Sequence, residues 1–98
     1  MVAVHELKSW PEFFMWVLSG DKKAELRYND RDYQVGDVLV LREWEPKTES
    51  YSGRQCRRRV SHVMYGAGSV GVITPMRGLN LKYVVLSLQE VDDAPQAA

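Results

Sequence analysis

The sequence is short of the residues on which much protein chemistry depends. It has one cysteine, Cys56, and two histidines, His5 and His62. One cysteine closes no internal disulfide, and no Cys/His cluster has the spacing of a zinc site. No metal and no organic cofactor are expected. An excess of charge of one sign is also absent, since thirteen basic residues balance thirteen acidic ones. That balance argues against a broad polyanion-binding surface and leaves room for a local basic patch. No stretch approaches the roughly 20 apolar residues of a membrane span, and the opening MVAVHELK lacks the apolar run of a signal peptide. A cytoplasmic location without membrane contact is the expectation. Repeats, heptads and low-complexity runs are missing as well.

What is present reads as one domain over residues 1–98, with a small polar tail, frayed from about residue 92. VAVHEL alternates as a first strand. In SWPEFFMWVLSG, Ser9 and Glu12 have the spacing of a capping box, and Pro11 suits a first helical turn. Trp10, Phe13, Phe14, Val17 and Leu18 share one helical face, which predicts their burial, and Gly20 marks the stop. Met15 and Trp16 fall off that face. Strands are predicted over 23–28, 38–44, 54–64 and 82–91, with a short one at Val70–Ile73. Short connections favour antiparallel pairing. The expected class is α+β, mainly β, with one helix covering a small curled sheet.

Residues 20–32, GDKKAELRYNDRD, concentrate charge on one predicted strand. Alternation puts Lys23, Glu25, Arg27 and Asn29 on one face and Ala24, Leu26 and Tyr28 on the other. The apolar set is expected in the core and the charged set in a polar row. Cations in such a row suit phosphate or carbonyl oxygens, and Glu25 suits a base's amino group. A solvated face with weak ion pairs is the competing reading. Arg31 braces the loop or contacts a ligand.

In RQCRRR, Arg57 and Arg59 share a face and Arg58 takes the other. Phosphate contact by Arg57, Arg58 and Arg59 competes with cross-strand pairing of the arginines to Glu43, Glu45 and Glu49. Those arginines also offer to lower the Cys56 pKa, but no His partner lies near it. His5 and His62 read as hydrogen-bonded sheet residues. GAGSVG at 66–71 spells G-x-G-x-x-G, yet VITP follows it, so no helix opens there and a dinucleotide site is not expected. Trp44, at a strand end beside charges, is the best stacking candidate among the three tryptophans.

HELK, WPEFF, VLSGDKKAELRYNDRDYQVGD, LVLREWEP, YSGR and LKYVVLSL resemble a bacterial and phage family of the ASCH superfamily, domain-of-unknown-function family 3850. The resemblance runs from about His5 to Leu88. It implies a PUA-like fold, a small β-barrel with the helix beside a cleft. It also implies RNA or nucleotide binding through a G-x-K-x-x-E-x-R segment, which carries over to Lys22, Glu25 and Arg27. Lys22 enters the site only through this resemblance, and it reaches the cleft only if the helix-to-strand turn re-aims it. Some relatives resemble amidohydrolases of N4-acetylcytidine, with a threonine nucleophile where this chain has Glu25. A carboxylate cannot form the same covalent intermediate.

The sequence therefore leads to an RNA- or nucleotide-binding domain. Its ligand residues are Lys22, Glu25, Arg27, Asn29, Arg31 and Trp44. One alternative is a small amidohydrolase on N4-acylated cytidine with Lys22 and Glu25 as its acid/base pair. The other is a phage or mobile-element accessory module that binds a protein through Met15 and Trp16.

Overall fold

Val38, Val40 and the two leucines between and after them are all buried, which makes this run the most continuously buried stretch of strand. A computed structural model describes residues 2–66 and 82–91. Its elements are β1 (Val4–Ser9), α1 (Pro11–Ser19), β2 (Ala24–Tyr28), β3 (Val38–Glu45), β4 (Ser50–Tyr65) and β5 (Tyr83–Glu90). The strands form one five-stranded sheet in the order β1-β3-β4-β5-β2. The sheet is a curled half-barrel, mainly β with one short helix. The expected strand at Val70–Ile73, the tail from about 92 and GAGSVG beyond Gly66 lie outside the described residues.

One pairing differs from the antiparallel expectation. β1 runs parallel to β3, from Val4 opposite Val38 to Ser9 opposite Glu43. A parallel pair needs a long crossover, and α1 with β2 supplies it. The other ladders are antiparallel. Register shifts between Arg42 and Trp44 and between Val60 and His62 break the ladders of β4. Such irregularities bend strands and favour curling.

Leu7, Phe14, Val17, Tyr33, Leu39, Leu41, Val60, Val84 and Leu86 fill the concave side. α1 contributes only Phe14 and Val17 to it. Trp10, Phe13 and Leu18, expected to be buried, are exposed. A nine-residue helix lying on a curled sheet buries a narrow stripe, and its flanks stay open. The expected capping box is also absent. Ser9 ends β1, Trp10 is the N-cap and no side chain caps the helix. Strand pairing to β3 claims Ser9 before it can serve the helix.

The alternation in β2 holds, but its sides are reversed. Leu26 and Tyr28 face out, while Glu25 is buried and Arg27 half-buried. Tyr28 pairs with Tyr83 and meets it edge-on at 5.6 Å, so the apolar set packs on the outer surface. Glu25 and Arg27 instead lie opposite the core residues Leu86 and Val84.

A second residue with a buried carboxylate, Asp37, ties the starts of β1 and β3 to each other and to the middle of β4. Asp37 accepts from the N–H groups of Ala3 at 3.1 Å and Gln34 at 3.0 Å, and lies 2.8 Å from His5 Nε2. Its own carbonyl accepts from Val60 N–H at 2.8 Å. Gly36, at φ +96°, takes the left-handed turn that glycine adopts without strain. Burial pushes the Asp37 carboxyl up, but the bonds from His5, Gln34 and Ala3 outweigh it and hold the pKa below 3.8. A depressed folded-state pKa stabilises the fold above the unfolded value, and that gain is lost as pH falls through the folded value. Asp37→Asn should therefore lower the unfolding free energy at pH 7 by about 1–3 kcal/mol. In urea titrations the gap to wild type should be smaller at an acid pH below the ordinary carboxylate range than at pH 7. An equal gap at both pH values would contradict this account.

Candidate functional site

The site begins with a turn. Gly20 takes φ +90° and donates its N–H to Val17 O at 3.1 Å. Two residues on, Lys22 N–H reaches back to Trp16 O at 2.9 Å. This folded-back exit re-aims Lys22, which simple alternation from Glu25 would place on the other side. Lys22 Nζ then sits 2.5 Å from both Ala24 O and Glu25 Oε1. Arg27 Nε donates to the other carboxylate oxygen, Oε2, at 3.0 Å. The three predicted residues Lys22, Glu25 and Arg27 thus converge. Glu25's side chain is only 6% exposed, and its two cations are 25% and 26% exposed.

Arg27 continues across the sheet. Its Nη2 donates to Lys8 O at 2.8 Å, and Arg31 Nη1 donates to Glu6 O at 2.9 Å. Both carbonyls belong to β1, at the far edge of the sheet from β2. Two guanidiniums therefore bridge the gap that a closed barrel would fill with ladder bonds.

Lys8, Ser9, Trp10, Phe13, Lys22, Glu25, Leu26 and Arg27 line a cleft of about 470 Å³ at this seam. Trp10 and Phe13 are exposed aromatics, and the charged triad provides the polar part. Ser9 was missed by sequence reasoning, which assigned it to the helix cap. Its Oγ is buried and has no hydrogen-bond partner among the described residues. A buried hydroxyl left unpaired costs about 1–3 kcal/mol, so a ligand atom that bonds it gains that much. The signal in the sequence was VHELKS read as one continuous strand, whose alternation puts Ser9 on the same side as Leu7.

Other expected site residues lie elsewhere. Asn29 is exposed, its N–H bonded to Lys82 O, and it does not line the cleft. Arg31 bonds the Glu6 carbonyl of β1 and does not line the cleft. Trp44 packs on the outer face, 4.9 Å from Tyr51, with the Lys8 ammonium 4.0 Å above its ring. Arg57 and Arg59 lie opposite Val40 and Val38 on that outer face. Arg58 points inward and donates to Val17 O at 2.9 Å, satisfying a carbonyl at the end of α1. Among the glutamates, Glu43 alone pairs with the arginine-rich strand, through Arg54 Nε and Nη2, both at 3.0 Å. Bonds from Arg54 and Ser52 hold its carboxyl below the ordinary value despite its burial. Cys56 faces the core, and burial pushes its thiol up against the opposing pull of Arg58. That corrects the activated-cysteine possibility.

Truncating one member of a buried ion pair is costly because its partners keep their desolvation penalty. Glu25→Ala should lower the unfolding free energy by about 3 kcal/mol in urea denaturation. Lys22→Ala should cost less, because Arg27 still neutralises Glu25. A loss below about 1 kcal/mol for Glu25→Ala would show that the carboxylate is not structurally committed.

The chain is similar to an uncharacterised 12.9 kDa protein encoded in the 3′ region beside GpA of Escherichia phage P2. The two are 40% identical over 63 residues, which are 64% of this chain and 56% of the phage protein. The match therefore spans little more than half the length of that relative. A family model, the domain of unknown function DUF3850, matches residues 4–88, which include β1, the α1–β2 turn, both bracing arginines and nearly all of β5. With the matched span holding every residue of the cleft, the chain belongs to the DUF3850 family.

Proposed function

We propose that this chain is a PUA-like module of the ASCH type that binds RNA or a nucleotide in the Lys22–Glu25–Arg27 cleft. One observation carries the proposal: a fixed row of donors and acceptors and an unpartnered Ser9 hydroxyl line one cleft with two exposed aromatic rings. A planar base with polar edges meets both demands. Trp10 and Phe13 offer it apolar faces, and base–aromatic stacking tolerates any base. Glu25 holds an ionised carboxylate's four acceptor sites, of which Lys22 and Arg27 use two. The rest can accept from an exocyclic amino group or a ribose hydroxyl. Arg27 Nη1 makes no hydrogen bond among the described residues and is free for a carbonyl or phosphate oxygen. The curled half-barrel with its helix beside the cleft supports the PUA-like assignment.

Calorimetric titration with the four ribonucleoside monophosphates tests this reading. Saturable binding is expected for at least one. Phe13→Ala, at an exposed position that the fold does not need, should weaken it by about 1–3 kcal/mol. Arg27→Ala, checked for folding by circular dichroism, should weaken it tenfold or more. No saturation, or affinity indifferent to both changes, rejects the proposal.

The close contact between Lys22 Nζ and Glu25 Oε1 favours one second reading, an amidohydrolase on N4-acylated cytidine. Such a pair can pass a proton to a leaving amine. Glu25 would activate water rather than act as the nucleophile, because threonine is absent from that position. Release of acetate from N4-acetylcytidine should then be lost in both Lys22→Ala and Glu25→Gln. A rate equal to that of buffer alone eliminates the enzyme.

A further inference from the structure

The cleft accounts for Trp10 and Phe13 but not for the aromatic surface beyond them. Trp16 is 51% exposed and does not line the cleft. Its ring meets Phe13 edge-on at 5.9 Å, so an aromatic stripe runs from the cleft along one flank of α1. The opposite flank differs in character. There Met15 Sδ is taken up by Arg54 Nη2 at 3.0 Å, and Arg54 is itself held by Glu43. The Phe13–Trp16 flank has no such cover among the described residues.

Cations gather in the turn that follows α1. Trp16 O accepts the Lys22 N–H, which ties the backbone of that turn to the residue bearing the outer ring. A second cleft of about 370 Å³ opens at that turn, lined by Val17, Gly20, Lys22, Lys23, Arg58, Leu88 and Glu90. Lys22 lines both clefts. Lys23 is exposed and has no ion pair among the described residues. Glu90 is the acidic member of the lining, set against three cations.

We propose that the Phe13–Trp16 flank is a stacking platform that extends the cleft into a site for single-stranded nucleic acid of two or more nucleotides. It rests on the nucleotide reading of the cleft. One base occupies the cleft, a neighbouring base stacks on Trp16, and a phosphate lies over Lys22 and Lys23. A neutral chain with few free cations binds such a strand mainly through its bases. The salt dependence is then shallow, since each phosphate neutralised on a single strand adds only about −0.7 to the slope of log K against log salt. An apolar stripe with cations at one end fits a strand that alternates flat bases with anionic links.

The test uses fluorescence anisotropy with labelled single-stranded RNA and DNA of two to eight nucleotides, beside unlabelled mononucleotides as competitors. Affinity should rise about tenfold or more from mononucleotide to tetranucleotide, an increment of the size expected for one or two stacked bases. Trp16→Ala should remove about fivefold or more of that increment and Trp16→Phe should keep most of it, with mononucleotide affinity unchanged in both. Lys23→Ala should flatten the salt slope by about one phosphate's share. RNA and DNA of equal affinity, or RNA favoured through its 2′-hydroxyls, both support the platform. Affinity independent of length, or a length increment indifferent to Trp16→Ala, overturns it. So does concentration-dependent self-association that Trp16→Ala abolishes while oligonucleotide affinity stays constant, because the flank then serves a protein contact. Mononucleotide binding without a length increment sinks the platform alone. A Trp16-dependent increment without any effect of Arg27→Ala sinks the cleft reading and leaves the platform.

Discussion

Glu25 is the carboxylate on which the site is built. It sits opposite a fully buried leucine, and a lone anion there would not survive desolvation. Lys22 and Arg27 make its burial tolerable, and in return it fixes both cations. Arg27, once fixed, reaches the carbonyl of Lys8 on the far edge of the sheet. A buried ion pair of this kind adds little stability over well-packed apolar residues. Its effect here is positional. It holds β2 with charge inward, and the seam that results is where the cleft opens.

The aromatic and charged parts of the molecule divide by face. On the convex side, Lys8, Arg42, Trp44 and Tyr51 cover one another through ring and cation–ring contacts. These contacts leave Trp44 with partners of its own. On the seam side, Trp10, Phe13 and Trp16 are exposed beside ion pairs already satisfied internally. Zero net charge over the whole chain hides this arrangement.

Much of the fold was legible in the sequence. The helix, the central strand and the closing strand follow from periodicity, since apolar spacing and strand length are local properties. The alternation of β2 was equally clear, but it separates two sets without saying which faces inward. That choice depends on partners far along the chain: the β1 carbonyls for Arg27 and Arg31, and Tyr83 for Tyr28. Ser9 carried a helix-cap signal and a strand signal at once, and pairing with β3 prevailed. The parallel β1–β3 ladder is not legible locally, because it pairs strands that are not consecutive in the chain. Lys22 could not be placed by alternation at all. Its position comes from a left-handed glycine and a backbone bond across the turn.

The guanidinium bridges also bear on what the fold avoids. Among the described residues β1 and β2 are the sheet edges, and an edge presents unpaired backbone groups that can template another chain. Arg27 and Arg31 occupy two carbonyls, two residues apart, on the edge of β1. An incoming strand would have to displace both side chains to pair there, and one of them is anchored on Glu25. The braces that shape the cleft therefore also guard the molecule against aggregation through its first strand.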